Sequence, residues 1–435
     1  MKRPLRVSIV VLVLALIAVG VVAAFWALWR NAPAVAVFPD GSRLKFVGSA
    51  VGTQTFTTER PWHKLARRIL PNRWQSWIPA ALSGSCGSST NSVTFFFRQT
   101  NKAAGPPLWM RYYAEDASGF HYPTEGGYCS FGGGSGATLI GLKLQNYPRR
   151  DRTLNLVLLA VNSREVVRLR LPNPVHGPFP EWKPEALPLT RTNGSVTLTL
   201  DALTWRTNRS WSPLDPAWRI STREPAWAHA QPGWIEVEDA TGNAGAYAAL
   251  SEPAWRLKIA VRRERWEDFS ASEVLVLTNL SLPPAGEFKA VDVSAQLSGC
   301  TVTLGAICGA GQLSITNGTM RGMTPPTGEY LGQGMMSTSS LTVEYWGSNR
   351  PFLFLEIAGM YPHDGVLWRA FDAQGRDLKL AGAGHFVSRG AQHRVYQPEF
   401  ATATNAVISR LEIAVSRALE FEFCLDPRTA VTQAP

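Results

Sequence analysis

The sequence has few of the residue patterns from which catalytic and metal sites are usually recognised. Its seven histidines are dispersed, and no pair stands at the spacing of a zinc-binding motif. No Asp-x-Asp occurs, which disfavours a metal-dependent glycosyltransferase, and no serine completes G-x-S-x-G. The glycines at 132–136 neither follow a clear strand nor open a helix, as a phosphate-binding loop requires. We therefore predict no catalytic residue, no metal and no cofactor.

Charge is absent from an apolar run of 23 residues that begins at Val7 and ends at Trp29. At about 1.5 Å of rise per residue, a helix of this length reaches roughly 34 Å, enough to cross a hydrocarbon core of about 30 Å. The sequence therefore predicts a transmembrane anchor over 7–29, with the lipid bilayer as its partner.

The flanks of this run predict its direction. Lys2, Arg3 and Arg6 precede it, whereas only Arg30 follows closely. By the positive-inside rule, residues 1–6 form a cytoplasmic tail of a single-pass inner (plasma) membrane protein whose bulk is periplasmic or extracellular. A cleaved signal peptide is the alternative, because residues 34–36 read Ala-Val-Ala. The length of the run and the aromatic residues at its outer end favour an uncleaved signal-anchor.

The excess of positive charge does not form a pattern typical of nucleic-acid binding. The formal net charge is +10, but the basic residues are scattered singly or in pairs, and several flank the predicted anchor. Together with the extracytoplasmic location, this predicts no nucleic-acid partner.

Cysteine is also scarce, with five in 435 residues. Cys86 and Cys129 lie in Gly/Ser-rich segments of one predicted unit and are the candidate disulfide. On one regular strand Cys300 and Cys308 would share a face about 26 Å apart, too far to be bridged. At least one thiol, which could include Cys424, must remain free.

A short turn signature occurs three times, at 116–119, 239–242 and 372–375. Each copy has Asp first and Gly fourth, which is typical of a type I turn. Alternating apolar runs precede and follow each copy, and each repeat closes on a run that meets a proline. The repeats predict three copies of one antiparallel arrangement.

We therefore predict a mainly β fold, with the transmembrane helix followed by three tandem antiparallel β-sandwich units that are immunoglobulin-like in a loose sense. The predicted ranges are 35–174 for unit 1, 175–190 for a Pro-rich linker, 191–285 for unit 2, 286–427 for unit 3 and 428–435 for a disordered tail.

Unit 1 contains a predicted short helix at 61–70. Trp62, Leu65, Ala66 and Ile69 share one face of it, which we expect to lie on the sandwich, with His63 on the opposite face. The alternative is that this basic amphipathic helix contacts anionic lipid head groups near the anchor.

Tryptophan is the remaining candidate feature. Trp211, Trp218 and Trp227 lie among Pro, Ser and Asp, and we name them as a candidate binding surface. Three others sit in alternating strands and are predicted to be buried: Trp234, Trp255 and Trp368.

The predicted function is a membrane-anchored extracytoplasmic binding or scaffolding protein of the cell envelope, without catalysis. Its partner would be an envelope protein or polysaccharide. One alternative is a carbohydrate-binding envelope protein that uses the loop tryptophans, and another is a hydrolase whose site has no sequence motif.

Overall fold

A computed structural model describes most of the chain beyond residue 33. The described residues are 34–38, 41–59, 61–71, 74, 82–84, 91–100, 111–122, 128–132, 138–160, 162–206, 214–245, 251–326, 334–337, 342–378, 385–388, 392–401, 407–429 and 431–433. The predicted tail and anchor at 1–29 lie outside them. Among the described residues, no helix is both long enough and apolar enough to span a bilayer. The described chain is mainly β with several antiparallel sheets, which confirms the predicted class at that level.

The first part of the chain forms two facing sheets. Its strands are β1 Val35–Val37, β2 Arg43–Val51, β3 Phe56–Thr57, β4 Ser83–Gly84, β5 Val93–Thr100, β6 Arg111–Glu115, β7 His121–Tyr122, β8 Tyr128–Gly132, β9 Thr138–Leu144, β10 Thr153–Leu159 and β11 Glu165–Pro172. Sheet 1 has the order β1-β2-β5-β9-β8, sheet 2 has the order β11-β10-β6-β7, and β3 pairs with β4 in a separate two-stranded sheet. Alternate residues such as Phe95 and Phe97 of sheet 1 pack on Leu156 and Leu158 of sheet 2 in a shared core.

The predicted short helix is present as α1, Pro61–Ile69, but the predicted buried face is wrong. Leu65 and Ile69 are 58% and 69% exposed, whereas His63 is buried. The helix is rotated by about 100°, one residue of an α-helix, from the expected orientation. In this orientation Arg67 forms an ion pair with Glu59, the residue two positions before the helix.

The second part of the chain runs from 189 to 262. Its strands are β12 Leu189–Asn193, β13 Val196–Arg206, β14 Leu214–Thr222, β15 Gln231–Asp239, β16 Ala244–Gly245 and β17 Trp255–Arg262.

The remaining strands run to the end of the described chain. They are β18 Val274–Ser281, β19 Phe288–Leu297, β20 Cys300–Cys308, β21 Gly311–Thr316, β22 Thr319–Thr324, β23 Gly334–Ser337, β24 Thr342–Ser348, β25 Phe352–Ala358, β26 Gly365–Phe371, β27 His385–Ser388, β28 His393–Gln397, β29 Val407–Ser416, β30 Leu419–Leu425 and β31 Val431–Gln433. The described residues from 189 onward also include four short 3-10 helices, at Pro225–Trp227, Trp266–Asp268, Ala271–Glu273 and Pro427–Thr429.

Strands β12 to β31 form five more sheets. Sheet 3 has the order β12-β13-β14 with β31 beside β13, and sheet 4 has the order β16-β15-β17-β30. Sheet 5 is β18-β29-β26, sheet 6 is β19-β20-β25-β28-β27, and sheet 7 is β22-β21-β24-β23. Sheets 3 and 4 share one core, while sheet 6 packs on sheet 5 with one face and on sheet 7 with the other.

A bulge in β20 decides which core each of its cysteines enters. The register against β25 shifts between Leu304 and Ala306, and a bulge of this kind reverses the alternation of side chains. Cys300 therefore packs in the core of sheets 5 and 6, and Cys308 packs in the core of sheets 6 and 7. The expectation that both share one face is wrong. The prediction that they do not pair with each other is confirmed, and both thiols are free.

The end of the chain departs from the predicted ranges. The strand β18 falls within 191–285 but pairs with β29, and β30 falls within 286–427 but pairs with β17. After β17 the chain therefore builds sheets 5 to 7 and then returns to sheet 4. Alternation along β30 predicted a half-buried strand correctly but carries no information about its neighbour. Within 428–435, predicted as disordered, β31 pairs in parallel with β13.

The three Asp-x-x-Gly turns are confirmed as one hairpin geometry. In each, the Gly N–H donates to the Asp carbonyl at 3.0 to 3.2 Å, and the Gly φ lies between 74° and 88°. The Asp carboxylate also accepts a hydrogen bond from the N–H two residues later, at 2.8 or 2.9 Å. Only glycine takes such a positive φ without strain, so the signature identifies the turn locally.

The turn at Asp239 also joins sheet 4 to the first pair of sheets. The Asn243 amide accepts from Tyr147 N–H and donates to the Tyr147 carbonyl, both at 3.1 Å. Arg149 donates from Nε to the same amide oxygen at 3.1 Å. Asn243 is 1% exposed and Asp239 is 2% exposed, so this junction is a buried polar network.

A second junction forms where the chain crosses from β29 to β30. Arg417 donates to Asp364 Oδ2 at 2.6 Å, to the Ser298 carbonyl at 2.7 Å and to the Gly359 carbonyl at 2.8 Å. The backbone N–H of Ala418 donates to Asp364 Oδ1 at 2.9 Å. One ion pair therefore ties the crossing between sheets 5 and 4 to two loops of sheet 6.

We predict that Asp364→Ala destabilises the protein far more than Asp372→Ala. The Asp364 side chain is 1% exposed, and removing one partner of a buried ion pair costs about 3 kcal/mol or more. That corresponds to a fall in Tm of about 6 to 12 °C. Asp372 forms a surface turn, where solvent screens its carboxylate, so its loss should lower Tm much less. Thermal loss of the β-sheet circular dichroism of the full chain in detergent measures both, and equal shifts would contradict the assigned role of the junction.

Candidate functional site

The outer face of sheet 4 carries a regular array of outward-facing side chains, of which Trp234, Glu420 and Glu422 are exposed. Trp255, Leu257, Ile259 and Val261 of β17 point into the core, so the intervening residues point outward. Cross-strand pairing aligns them in three rows: Trp234, Ala260 and Glu420; Glu236, Lys258 and Glu422; Glu238, Arg256 and Cys424. We call these nine residues the Trp234 face.

Trp234 itself is 49% exposed, so its predicted burial is wrong. Period-two alternation places it on the side of Glu236 rather than on that of the buried Val237. The predicted burial of Trp255 is confirmed, because this side chain is 2% exposed. Trp368, which was also predicted to be buried, is half-buried.

A histidine from the second junction stacks on Trp234. The ring centroids of Trp234 and His363 are 5.6 Å apart with an interplanar angle of 23°, and His363 Nε2 lies 3.8 Å from Glu420 Oε1. Ala260, between Trp234 and Glu420, is only 2% exposed, which indicates that the stacked rings cover this row. One face of the indole is therefore supported by the protein while much of the ring remains open to solvent.

The loop that presents His363 is held rigidly. Tyr361 N–H donates to Asp364 Oδ2 at 2.8 Å, and Arg394 donates to the Tyr361 carbonyl at 2.7 Å. The Tyr361 ring is 55% exposed, with the Arg417 guanidinium 5.0 Å from its centroid. A second exposed aromatic ring therefore lies two residues from the stacked histidine.

The rest of the Trp234 face is rich in hydrogen-bond acceptors. It carries four carboxylates and two basic groups, and Glu238 binds both of the latter, Lys258 at 2.8 Å and Arg256 at 2.9 Å. Burial alone would lower the pKa of Lys258, but its hydrogen bond to Glu238 and the other nearby glutamates raise it. The side chains of Glu420 and Glu422 are 54% and 55% exposed.

An open indole beside several carboxylates suits a ligand with flat apolar patches and hydroxyl or amino donors. Adjacent strands lie about 4.8 Å apart, so Trp234 and Glu420 are separated by roughly 10 Å across the face. Within the described part of the chain, no group of three His, Cys, Asp or Glu residues is placed to hold a metal ion.

The predicted loop tryptophans do not form an exposed surface in the described residues. Trp211 lies outside them. Trp218 is on β14 rather than in a loop, and both Trp218 and Trp227 are half-buried against the core of sheets 3 and 4. The guanidinium of Arg263 lies 5.7 Å from the Trp227 ring.

In the described part of the chain, a buried carboxylate and a histidine form a pair near Trp227 of the kind that is part of a catalytic arrangement. Asp268 Oδ1, on a side chain 2% exposed, lies 2.9 Å from His229 Nδ1, which orients the imidazole as a buried carboxylate does in catalytic triads. In the described residues no nucleophile hydrogen-bonds to this histidine, so the pair alone does not constitute a hydrolase site.

Cys129 is disulfide-bonded, whereas Cys300, Cys308 and Cys424 are free. The predicted partner Cys86 lies outside the described residues, and its pairing with Cys129 stays a prediction. Burial is the main cause that raises the pKa of all three free thiols.

No protein-family model matches this chain, and neither does any curated protein or solved structure.

The sequence contained a signal for part of the Trp234 face. Alternation with Glu236 and Glu238 identifies Trp234 as outward-facing, because those glutamates belong in solvent. The approach of His363 and Tyr361 depends on a contact between residues more than a hundred positions apart in the sequence, which alternation does not encode.

We predict that Glu273→Gln, next to the Trp227 region, lowers stability at neutral pH but not near pH 2. The hydrogen bond from Arg263 at 2.7 Å is the main cause that lowers the pKa of Glu273 from 4.5 to about 2. The stabilisation is therefore complete above about pH 4.5 and is lost as the pH falls towards about 2.

Because the Glu273 side chain is 31% exposed, solvent screening reduces this contribution to on the order of 1 to 2 kcal/mol. The control is Glu267→Gln on the neighbouring turn, where the side chain is exposed. Tm measured against pH for both variants tests this, and a Glu273→Gln variant with the pH profile of the parent would contradict it.

Proposed function

We propose that this chain is a non-catalytic binding or scaffolding protein of the cell envelope. Residues 7–29 anchor it in the inner (plasma) membrane as an uncleaved single-pass helix, and the sheets lie on the extracytoplasmic side. The basic flank before the anchor supports this direction. The disulfide bond of Cys129 supports an oxidising compartment.

The architecture we propose is three antiparallel sandwich units of immunoglobulin-like type in the loose sense. Three cores shared by facing sheets support it: sheets 1 and 2, sheets 3 and 4, and sheets 5 and 6. The third unit is inserted into the second, because β30 completes sheet 4.

The Trp234 face is the observation that carries the binding role. It presents a half-exposed indole, supported on one side by His363, next to exposed carboxylates. These features support an envelope polysaccharide as the second, more specific candidate partner, because sugar rings stack on exposed indoles and donate hydroxyl hydrogen bonds to carboxylates. This hypothesis moves the candidate surface from the loop tryptophans to Trp234.

The proposed location predicts which cysteines a membrane-impermeant maleimide labels in cells with a permeable outer layer but an intact inner membrane. In a Cys424→Ser background, Ala271→Cys is exposed and should be labelled, while Cys300 and Cys308 are buried and should not be. Lys2→Cys is the control and should react only after detergent. Failure to label the thiol at position 271, or labelling at position 2 without detergent, would overturn the location.

The proposed surface predicts that the full chain in detergent co-sediments with purified envelope polysaccharide and that Trp234→Ala weakens this binding about tenfold or more. The matched control is Trp218→Ala, which alters a half-buried tryptophan of the same pair of sheets. Retention of binding in Trp218→Ala, with unchanged circular dichroism of both variants, supports the Trp234 face. Loss of binding confined to Trp218→Ala would favour the originally predicted surface of Trp211, Trp218 and Trp227 instead. A parent chain that does not sediment with the polysaccharide would exclude the polysaccharide as the partner.

A further inference from the structure

Helix α1 presents an apolar row and a basic row side by side on its exposed surface. Leu65 and Ile69 are separated by four residues and are 58% and 69% exposed. Lys64 and Arg68, also four residues apart, are exposed next to them. At 100° per residue these four side chains span about 140° of the helix surface. Large apolar side chains this exposed mark an interaction site when they are contiguous.

A third exposed apolar side chain follows the helix in the sequence. Trp74 is 44% exposed, so residues 61–74 contribute three of the nine large exposed hydrophobic side chains in the described part of the chain. Tryptophan is the residue that most favours the boundary between lipid and water.

The strand that precedes α1 covers the part of sheet 1 from which the N-terminal segment enters the fold. The Ala34 carbonyl accepts from Phe46 N–H at 2.9 Å, and β1 is antiparallel to β2, so the chain before Ala34 comes from the side of Val51. The strand β3 folds back over the same part of sheet 1, because Phe56 stacks on Phe96 at 4.5 Å, and α1 follows it.

The span between the anchor and the fold is short. Four residues lie between Trp29 and Ala34, and the five residue steps from one to the other cover at most about 17 Å when fully extended. Phe46 lies opposite Ala34, and Val51 at the end of β2 is five residues further along. The distance from Ala34 to Val51 is therefore also roughly 17 Å. A bilayer holding residues 7–29 would therefore lie within about 17 Å of Ala34, on the side of sheet 1 that β3, the strand before α1, covers.

We propose that α1 lies on the bilayer surface, with Leu65 and Ile69 in the interface and with Lys64 and Arg68 on anionic head groups. The proposal rests on the anchor of the proposed function. A lipid surface fits better than a protein partner because the basic row adjoins the apolar row, which is typical of interfacial helices. Each exposed basic residue near an anionic membrane contributes attraction in the same direction.

The test uses the full chain with Cys424→Ser, reconstituted into vesicles of phosphatidylcholine containing one third phosphatidylglycerol. An environment-sensitive fluorophore is attached at Leu65→Cys, and the lipids carry bromine at shallow acyl positions as the quencher. We expect a blue-shifted emission and about twofold or greater quenching at this position.

Two controls make the measurement specific. Val276→Cys, on sheet 5, is 44% exposed and should be neither shifted nor quenched. Adding Lys64→Glu and Arg68→Glu to the labelled chain should reduce quenching in the anionic vesicles. The substituted side chains are all exposed, so these changes should leave the circular dichroism unchanged; they are Lys64, Leu65, Arg68 and Val276.

The outcomes separate this inference from the proposed function. If the chain floats with the vesicles but the probe at 65 behaves like the probe at 276, the docking of α1 is wrong and the anchor stands. If the chain does not float with the vesicles, the anchor itself is wrong. A blue shift without quenching that grows with the protein-to-lipid ratio would show that α1 contacts a second copy, which also overturns the proposal.

Discussion

The ion pair between Asp364 and Arg417 is the contact on which the arrangement of the larger part of the chain depends. Arg417 stands between the last strand of sheet 5 and the last strand of sheet 4, and it also holds loops of sheet 6 at Ser298 and Gly359. The Asp364 carboxylate is almost fully buried and must be paired. The position of Arg417, and with it the crossing from β29 to β30, is therefore fixed. The same carboxylate fixes the loop that brings His363 to Trp234, which makes the candidate surface a product of this junction.

Features with short-range causes could be predicted from the sequence, and features set by distant partners could not. The three Asp-x-x-Gly turns follow from one carboxylate and one glycine within four residues, and all three form as predicted. Alternation likewise identified β17 and β30 as strands. It could not show that they are neighbours, because pairing across a large insertion depends on the complementarity of faces that lie far apart in sequence.

The errors about faces have a similar origin. Alternation assigns side chains to two sides of a strand, but a single bulge between Leu304 and Ala306 exchanges the sides beyond it. For Trp234 the position two residues before Glu236 indicated the outward side of the strand, whereas the hydrophobicity of tryptophan suggested the core side. For α1 the hydrophobic stripe predicted burial, yet the structure buries His63, pairs Arg67 with Glu59 and leaves Leu65 and Ile69 of that stripe exposed.

The two proposed surfaces are connected through the junction at Asn243. The Asn243 amide accepts hydrogen bonds from Tyr147 N–H and from Arg149 and donates one to the Tyr147 carbonyl, so opening this contact would leave polar groups on both sides without these partners. Bending between the first sheets and sheet 4 is therefore costly. If α1 lies on the membrane, it fixes the first sheets against the bilayer, and this junction transmits that orientation to sheet 4. The Trp234 face would then be held at a defined height and direction above the membrane, as a scaffold requires.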